Sequence, residues 1–172
     1  APGGSFLGKS TFADELQEHP ELEVGFVTAT PRMARYLEYS THIYDIYLRY
    51  LAPEDIHVYS IDEVFLDVTQ YLKIYKMTAE ELATTIATEI LEKKGLTVTA
   101  GIGTNLYLCK VAMDIVAKHI PADKNGVRIA ELNEQLYKET LWGHTPITDF
   151  WRVGAGTASR LEKLGIYTMG DI

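Results

Sequence analysis

The chain has 172 residues, 47% of them hydrophobic and 23% charged, with a formal net charge of −8. That balance excludes a disordered, collagenous or disulfide-scaffolded protein, and a lone cysteine, Cys109, excludes a disulfide framework and a cysteine-ligated zinc cluster. Residues 1–100 carry 8 basic against 16 acidic side chains and 101–172 carry 8 of each, so only the second part is suited to meeting a polyanion.

In chain order, a short helix is predicted over Thr11–Glu18, closed by His19-Pro20, and Leu22–Val27 reads as a buried strand. Thr30 then caps a long helix with Pro31 at its first position, and Met33, Tyr36, Leu37, Ile43, Tyr44, Tyr47, Leu48 and Leu51 recur at helical spacing up to Pro53. Ile56–Ser60 and Val64–Val68, rich in β-branched and aromatic residues, read as a hairpin with Asp62-Glu63 at its bend. A capping box, Thr78-Ala79-Glu80-Glu81, opens a second helix striped by Leu82, Ile86 and Ile90 and closed at Gly95. Thr97–Ile102 is the next strand, Asn105–His119 a third helix stopped by Pro121, and Val127–Ile129 a closing strand. This order predicts an α+β layer, with helices on one face of a mostly antiparallel sheet. The texture changes from Leu141 onward. Gly154-Ala155-Gly156 lies between two short apolar-patterned helices, and Thr168 caps another helix.

Adjacent carboxylates at a hairpin bend cannot both hide in the core, and oxygen-only donors on rigid strands suit a hard cation such as Mg²⁺. Acidic residues are also ordinary in turns. The flanks decide between these readings. Tyr59-Ser60-Ile61-Asp62-Glu63-Val64-Phe65-Leu66-Asp67-Val68-Thr69 resembles the catalytic hairpin of the Y-family translesion DNA polymerases, the group that includes the bacterial DinB and UmuC proteins. Further along, Ala100-Gly101-Ile102-Gly103-Thr104-Asn105, then Cys109-Lys110-Val111-Ala112-Met113-Asp114 and Lys118, are similar to that family's strand, turn and helix. Trp151-Arg152-Val153-Gly154-Ala155-Gly156 with Leu161 and Leu164-Gly165-Ile166 is similar to its helix-hairpin-helix thumb. Tyr36 and Ser40 also fit, and three motifs in order over residues 22–172 are far more specific than one.

The resemblance implies an α+β, ferredoxin-like palm at 22–128, the opening of a small all-α helix-hairpin-helix thumb at 129–172, and a remnant of the fingers at 1–21. It implies an error-prone DNA polymerase that copies past damaged bases, with two Mg²⁺ ions held by Asp62 and Glu63 as catalytic and metal-binding carboxylates. The family's third carboxylate lies on a strand upstream of the fingers and is not found before Leu22, so the chain alone is expected to polymerise nothing. Lys110, Asp114 and Lys118 recur at i, i+4 and i+8, which by itself describes a solvated charge ladder. The resemblance makes Lys118 a triphosphate contact and gives Lys110, Asp114 and Ser60 supporting roles; Leu106 stands where the family often has a lysine. Gly154, Gly156, Arg160 and Lys163 are expected to grip DNA phosphates without reading bases. Partners implied are primer-template DNA, an incoming dNTP and a sliding clamp reached through regions outside these residues.

Two other readings compete. Gly3, Gly8, Lys9 and Ser10 have the spacing of a phosphate loop, with Val58–Glu63 as a Walker B strand, which would make an ATP-binding protein; only Ala1 and Pro2 precede Gly3, too few for the strand such a loop needs. A DNA-repair scaffold with a dead palm is the other, and the retained Asp62-Glu63 pair speaks against it. No apolar run reaches the roughly 18 residues of a spanning helix and the start lacks a signal pattern, so a soluble, cytoplasmic protein without membrane partners is expected.

Overall fold

In a computed structural model that describes residues 6–172, the clearest helix signal of the sequence is realised as written. Helix α4 (Ala79–Lys94) opens with Thr78 accepting from the Glu81 amide while the Glu81 side chain returns to the Thr78 amide, and it closes at Gly95 with a left-handed φ of 67°. Both ends therefore have their orphan backbone groups satisfied locally. Its Leu82, Ile86 and Ile90 are buried with Ile46, Leu51 and Ile56, each contributing on the order of 2 kcal/mol by leaving water.

The other elements are β1 (Gly8–Ser10), α1 (Ala13–Glu18), β2 (Leu22–Val24), α2 (Met33–Tyr47), β3 (Ile56–Val58), β4 (Val64–Leu66), α3 (Tyr71–Tyr75), β5 (Thr99–Gly103), α5 (Leu106–Val111), β6 (Arg128–Leu132), α6 (Glu134–Leu141) and α7 (Ala155–Glu162). Two compact units result, one ending at Ala34 and one covering Arg35–Ile172. In the first, β1 and β2 pair in parallel, Gly8 opposite Leu22, with α1 between them in sequence.

This arrangement overturns the phosphate-loop reading. Gly8-Lys9-Ser10 is a paired strand, the Lys9 ammonium lies 2.9 Å from the Glu23 carboxylate, and the buried Ser10 hydroxyl donates to Glu15. A phosphate loop needs its backbone amides free, and these groups are already engaged; Gly3 lies outside the described residues.

The α+β class holds, but the sheet does not follow the predicted pattern. The described strands form three separate pairs, of which β3–β4 is antiparallel and both β1–β2 and β5–β6 are parallel. The direction of β6 is set by the helical crossover from β5, which returns the chain to the same end of the sheet before pairing. Two helices escaped the pattern reading, α3 and α6, and the segment before Gly154 is a single 3₁₀ turn, Ile147–Asp149, in place of a helix.

The third predicted helix is continuous in path and not in type. α5 opens with the Asn105 side chain accepting from the Leu108 amide, passes into a π turn at Ala112–Val116, and ends in a 3₁₀ turn at Ala117–His119. Its inner face, with Leu108, Val111, Ala112 and Ile115, joins β6, α6, Phe150 and Ala158 in a second core.

Helix and strand touch backbone to backbone. A Cβ on Gly103 would stand 2.6 Å from the Cys109 nitrogen, and one on Gly101 would collide with the Cys109 carbonyl and the Met113 nitrogen. Gly101→Ala and Gly103→Ala are each expected to lower stability by about 3 kcal/mol, read by thermal or urea unfolding. Gly143→Ala, which meets open space, is the control.

Candidate functional site

The bend between β3 and β4 is closed by its own backbone. The amides of Tyr59 and Ser60 both donate to the Glu63 carbonyl, at 3.0 and 3.1 Å, so Ile61 and Asp62 form the tip. The Ser60 hydroxyl donates to Asp62 Oδ1 at 2.8 Å and leaves the second carboxylate oxygen without a described partner. Asp62 is exposed. Glu63 turns the other way, toward α5, where both of its oxygens accept from Lys110 Nζ at 2.7 and 2.8 Å.

Lys110 was read from spacing as part of a solvated ladder. It is instead buried, 8% exposed, and its ammonium is also 3.0 Å from Asp114 Oδ2. Asp114 Oδ1 in turn accepts from Lys118 Nζ at 2.6 Å, and Lys118 is the exposed end of the chain of charges. Burial works against the charged form of Lys110, and the bonds to Glu63 and Asp114 overcome it, so its pKa lies above the usual 10.5. Burial likewise opposes Asp114, and its bonds to Lys118 and Lys110 reverse the balance, holding the carboxyl below the usual 3.8. The Lys110 ammonium also lies 5.8 Å from the Tyr59 ring centroid, within reach of a cation–π attraction.

These side chains border a cleft of about 780 Å³. Asp62 and Glu63 stand on its hairpin side, Lys110, Met113 and Lys118 on its helix side, and β4 and β5 form flanking walls that are not hydrogen-bonded to each other. The structure thus brings together Asp62, Glu63, Lys110 and Lys118, with Asp114 as the bridge and Ser60 as the brace of Asp62. The π turn matters here. Eight residues of regular α-helix would carry Lys118 roughly 80° round from Lys110, and the wider turn at Ala112–Val116 takes up part of that rotation. Among the described residues no group of three or more His, Cys, Asp and Glu side chains is placed to hold a metal ion, so Asp62 and Glu63 are two donors and not a closed site.

Gly154, Gly156, Arg160 and Lys163 are not part of this cleft. All four are exposed, Gly154 at the start of α7, Gly156 and Arg160 on it and Lys163 just past its C-terminal end; a Cβ at either glycine would meet open space, and the Gly154 carbonyl accepts from the amides of Thr157 and Ala158. The first amides of α7, Ala155 and Gly156, have no intrahelical acceptor.

The sequence reading passed over one group. Tyr59, Phe65 and Trp151 pack edge to face or tilted with ring centroids 5.7 to 6.0 Å apart, joining the hairpin to the turn before α7. Alternation along β3 and β4 puts Tyr59 and Phe65 on one side of the hairpin, a signal available in the sequence; Trp151 as their partner was not.

Comparison with known proteins fits this geometry. Residues 12–114 match the model of the impB/mucB/samB family. The chain is 34% identical over 160 residues to DNA polymerase IV 2 of Bacillus subtilis, covering 93% of this chain and 37% of that protein. It resembles the crystal structure of DinB from Sulfolobus solfataricus with a TM-score of 0.63 and 28% identity, over 92% of this chain and 42% of the other. It also resembles an insertion ternary complex of Dbh DNA polymerase, with a TM-score of 0.62, 28% identity and coverage of 90% and 41%. The chain therefore spans about a third of the length of the curated relatives it matches.

The charge chain sets how stability varies with pH. The depressed Asp114 carboxyl adds stability that is present above its unfolded value and is lost as pH falls through 3.8 toward the folded one; the raised Lys110 adds stability present below 10.5 and lost above it. The melting temperature is expected to stay level between about pH 5 and pH 9 and to fall on both sides. Lys110→Ala should cost about 3 kcal/mol at neutral pH, because Glu63 and Asp114 lose their shared cation, and should flatten the alkaline fall. Melting curves of both proteins from about pH 3 to about pH 11 check this.

Proposed function

This chain belongs to the impB/mucB/samB family, the Y-family translesion polymerases that its motifs resemble, and from that premise we propose that the longer protein containing it is a template-directed DNA polymerase tolerant of damaged bases. The observation that carries the reading is the Asp62-Glu63 pair at a hairpin bend, with Lys110 of α5 and Lys118 of the 3₁₀ turn at Ala117–His119 bordering the same cleft of about 780 Å³, a size suited to a nucleotide. Residues 22–128 are read as the palm, ferredoxin-like in outline, 129–172 as the opening of the thumb, and 1–21 as part of the fingers. The open edges of β4 and β5 support this, since a strand laid between them would join their pairs into one sheet. A third carboxylate on such a strand would complete the donor set.

Asp62 and Glu63 fit divalent cations: both are hard oxygen donors, one exposed and one at the cleft wall, as Mg²⁺ requires. Two such ions supply activation of the primer hydroxyl and neutralisation of charge during in-line transfer to the incoming dNTP. The chain's own residues do the rest. Ser60 fixes Asp62 so that its second oxygen stays available. Lys110 holds Glu63 at the wall as a charge-neutral pair and limits repulsion between the adjacent acids. Lys118, pivoting on Asp114, is the exposed cation that reaches the triphosphate. The first amides of α7, assisted by Arg160 and Lys163, hold a phosphate of the primer-template, an affinity that is sequence-independent and falls with salt.

Primer extension with Mg²⁺ or Mn²⁺ tests the reading. The longer protein is expected to extend a primer as its template directs, Asp62→Asn and Glu63→Gln are each expected to reduce this at least about a hundredfold, and the 172-residue chain alone is expected to incorporate nothing. Full activity in Asp62→Asn would overturn the assignment.

A further inference from the structure

We propose that Trp151, which lies outside the cleft, is a positioning residue for the acid-bearing turn, acting through Tyr59. The inference rests on the reading of Asp62 and Glu63 as cation ligands and adds to it a residue from the segment beyond α6.

Trp151 Nε1 donates to the Tyr59 hydroxyl at 3.0 Å, a bond between residues 92 positions apart. The indole also packs edge-on against the Tyr59 ring at 5.8 Å and against Phe65 at 6.0 Å, so it touches both strands of the hairpin. Tyr59 is the first residue of the closed bend: its amide and that of Ser60 are the two donors to the Glu63 carbonyl. Ser60 in turn braces Asp62, and the Tyr59 ring faces the Lys110 ammonium that holds Glu63. A shift of the Tyr59 side chain is therefore felt by both carboxylates, one through Ser60 and one through Lys110.

The indole is itself held firmly. Phe150, only 1% exposed, is locked in the core beneath α5, and its carbonyl accepts from the Val153 amide at 3.0 Å, closing a tight turn around Trp151 and Arg152. Within that turn Arg152 has a φ of 70°, a left-handed conformation that costs a residue with a Cβ energy and persists only where the surroundings fix it. Its guanidinium lies 5.0 Å from the Trp151 ring centroid, covering the indole from outside. A buried anchor, a strained residue and a covering cation all aim one ring at Tyr59.

The test uses the 172-residue chain, with Mn²⁺ binding read by electron paramagnetic resonance and backbone exchange read at the Tyr59 and Ser60 amides. Trp151→Phe keeps an aromatic ring and removes the N–H donor; Tyr59→Phe keeps its ring and removes the acceptor. Each is expected to weaken Mn²⁺ binding about fivefold and to speed exchange at both amides, with the double variant no worse than either single one. Melting temperatures confirm that each variant is folded, and Tyr59→Phe, which changes one partly exposed hydroxyl, remains informative if Trp151→Phe does not fold. Wild-type Mn²⁺ affinity in folded single variants, or fully additive losses in the double variant, would overturn the positioning role and leave the functional reading standing. Mn²⁺ binding unaffected by Asp62→Asn would overturn the reading of Asp62 as a cation ligand in this chain, and the inference with it.

Discussion

A buried lysine ammonium with carboxylates on two sides organises the second unit of this chain. Lys110 sits on the outer turn of α5 with Asp114 one turn below and Glu63 across from it on the hairpin. One hydrophobic cluster lies under the hairpin and α4, and the other lies between α5, β6 and the segment around Phe150. The ammonium is a polar tie between them, beside the Trp151–Tyr59 hydrogen bond. Desolvating that charge is unfavourable, and three carboxylate oxygens within 3.0 Å offset it. The positions of Glu63, of the hairpin tip and of Lys118 all follow from where this ammonium must be satisfied.

The same arrangement accounts for an electrostatic problem in the site. Two neighbouring carboxylates on a short bend repel each other, and the repulsion is greatest when no external cation is bound. Ser60 donates to one and Lys110 neutralises the other, so the pair is separated in direction as well as in charge. Asp62 keeps one carboxylate oxygen without a described partner, while both oxygens of Glu63 are held by its lysine. The indole contact at Tyr59 belongs to this scheme because it restrains the residue from which the bend starts.

What could be read in advance was whatever local chemistry decides. The capping box at Thr78, the glycine stop at Gly95 and the antiparallel hairpin with Asp62-Glu63 at its bend are set within a few residues, and all three form. The parallel pairing of β5 with β6 was not legible, because strand direction follows from the path of the crossover and not from the composition of either strand. Nor was the burial of Lys110. A lysine spaced among other charges looks the same on a solvated face as beneath a hairpin, and the difference lies in a glutamate 47 residues earlier. α6 was missed because it is short and largely polar, with Leu141 its one buried residue. Trp151 is legible in sequence only as part of a motif, since nothing near it names Tyr59 as its acceptor.

The wide turn at Ala112–Val116 also changes how distance along this segment converts into direction. A π turn winds less per residue than a regular helix, and the 3₁₀ turn that follows at Ala117–His119 winds more. The outermost cation and the inner one border the same cleft and are linked through Asp114. The role of a side chain in this stretch is therefore better judged by which wall of the cavity it borders than by its spacing along the chain.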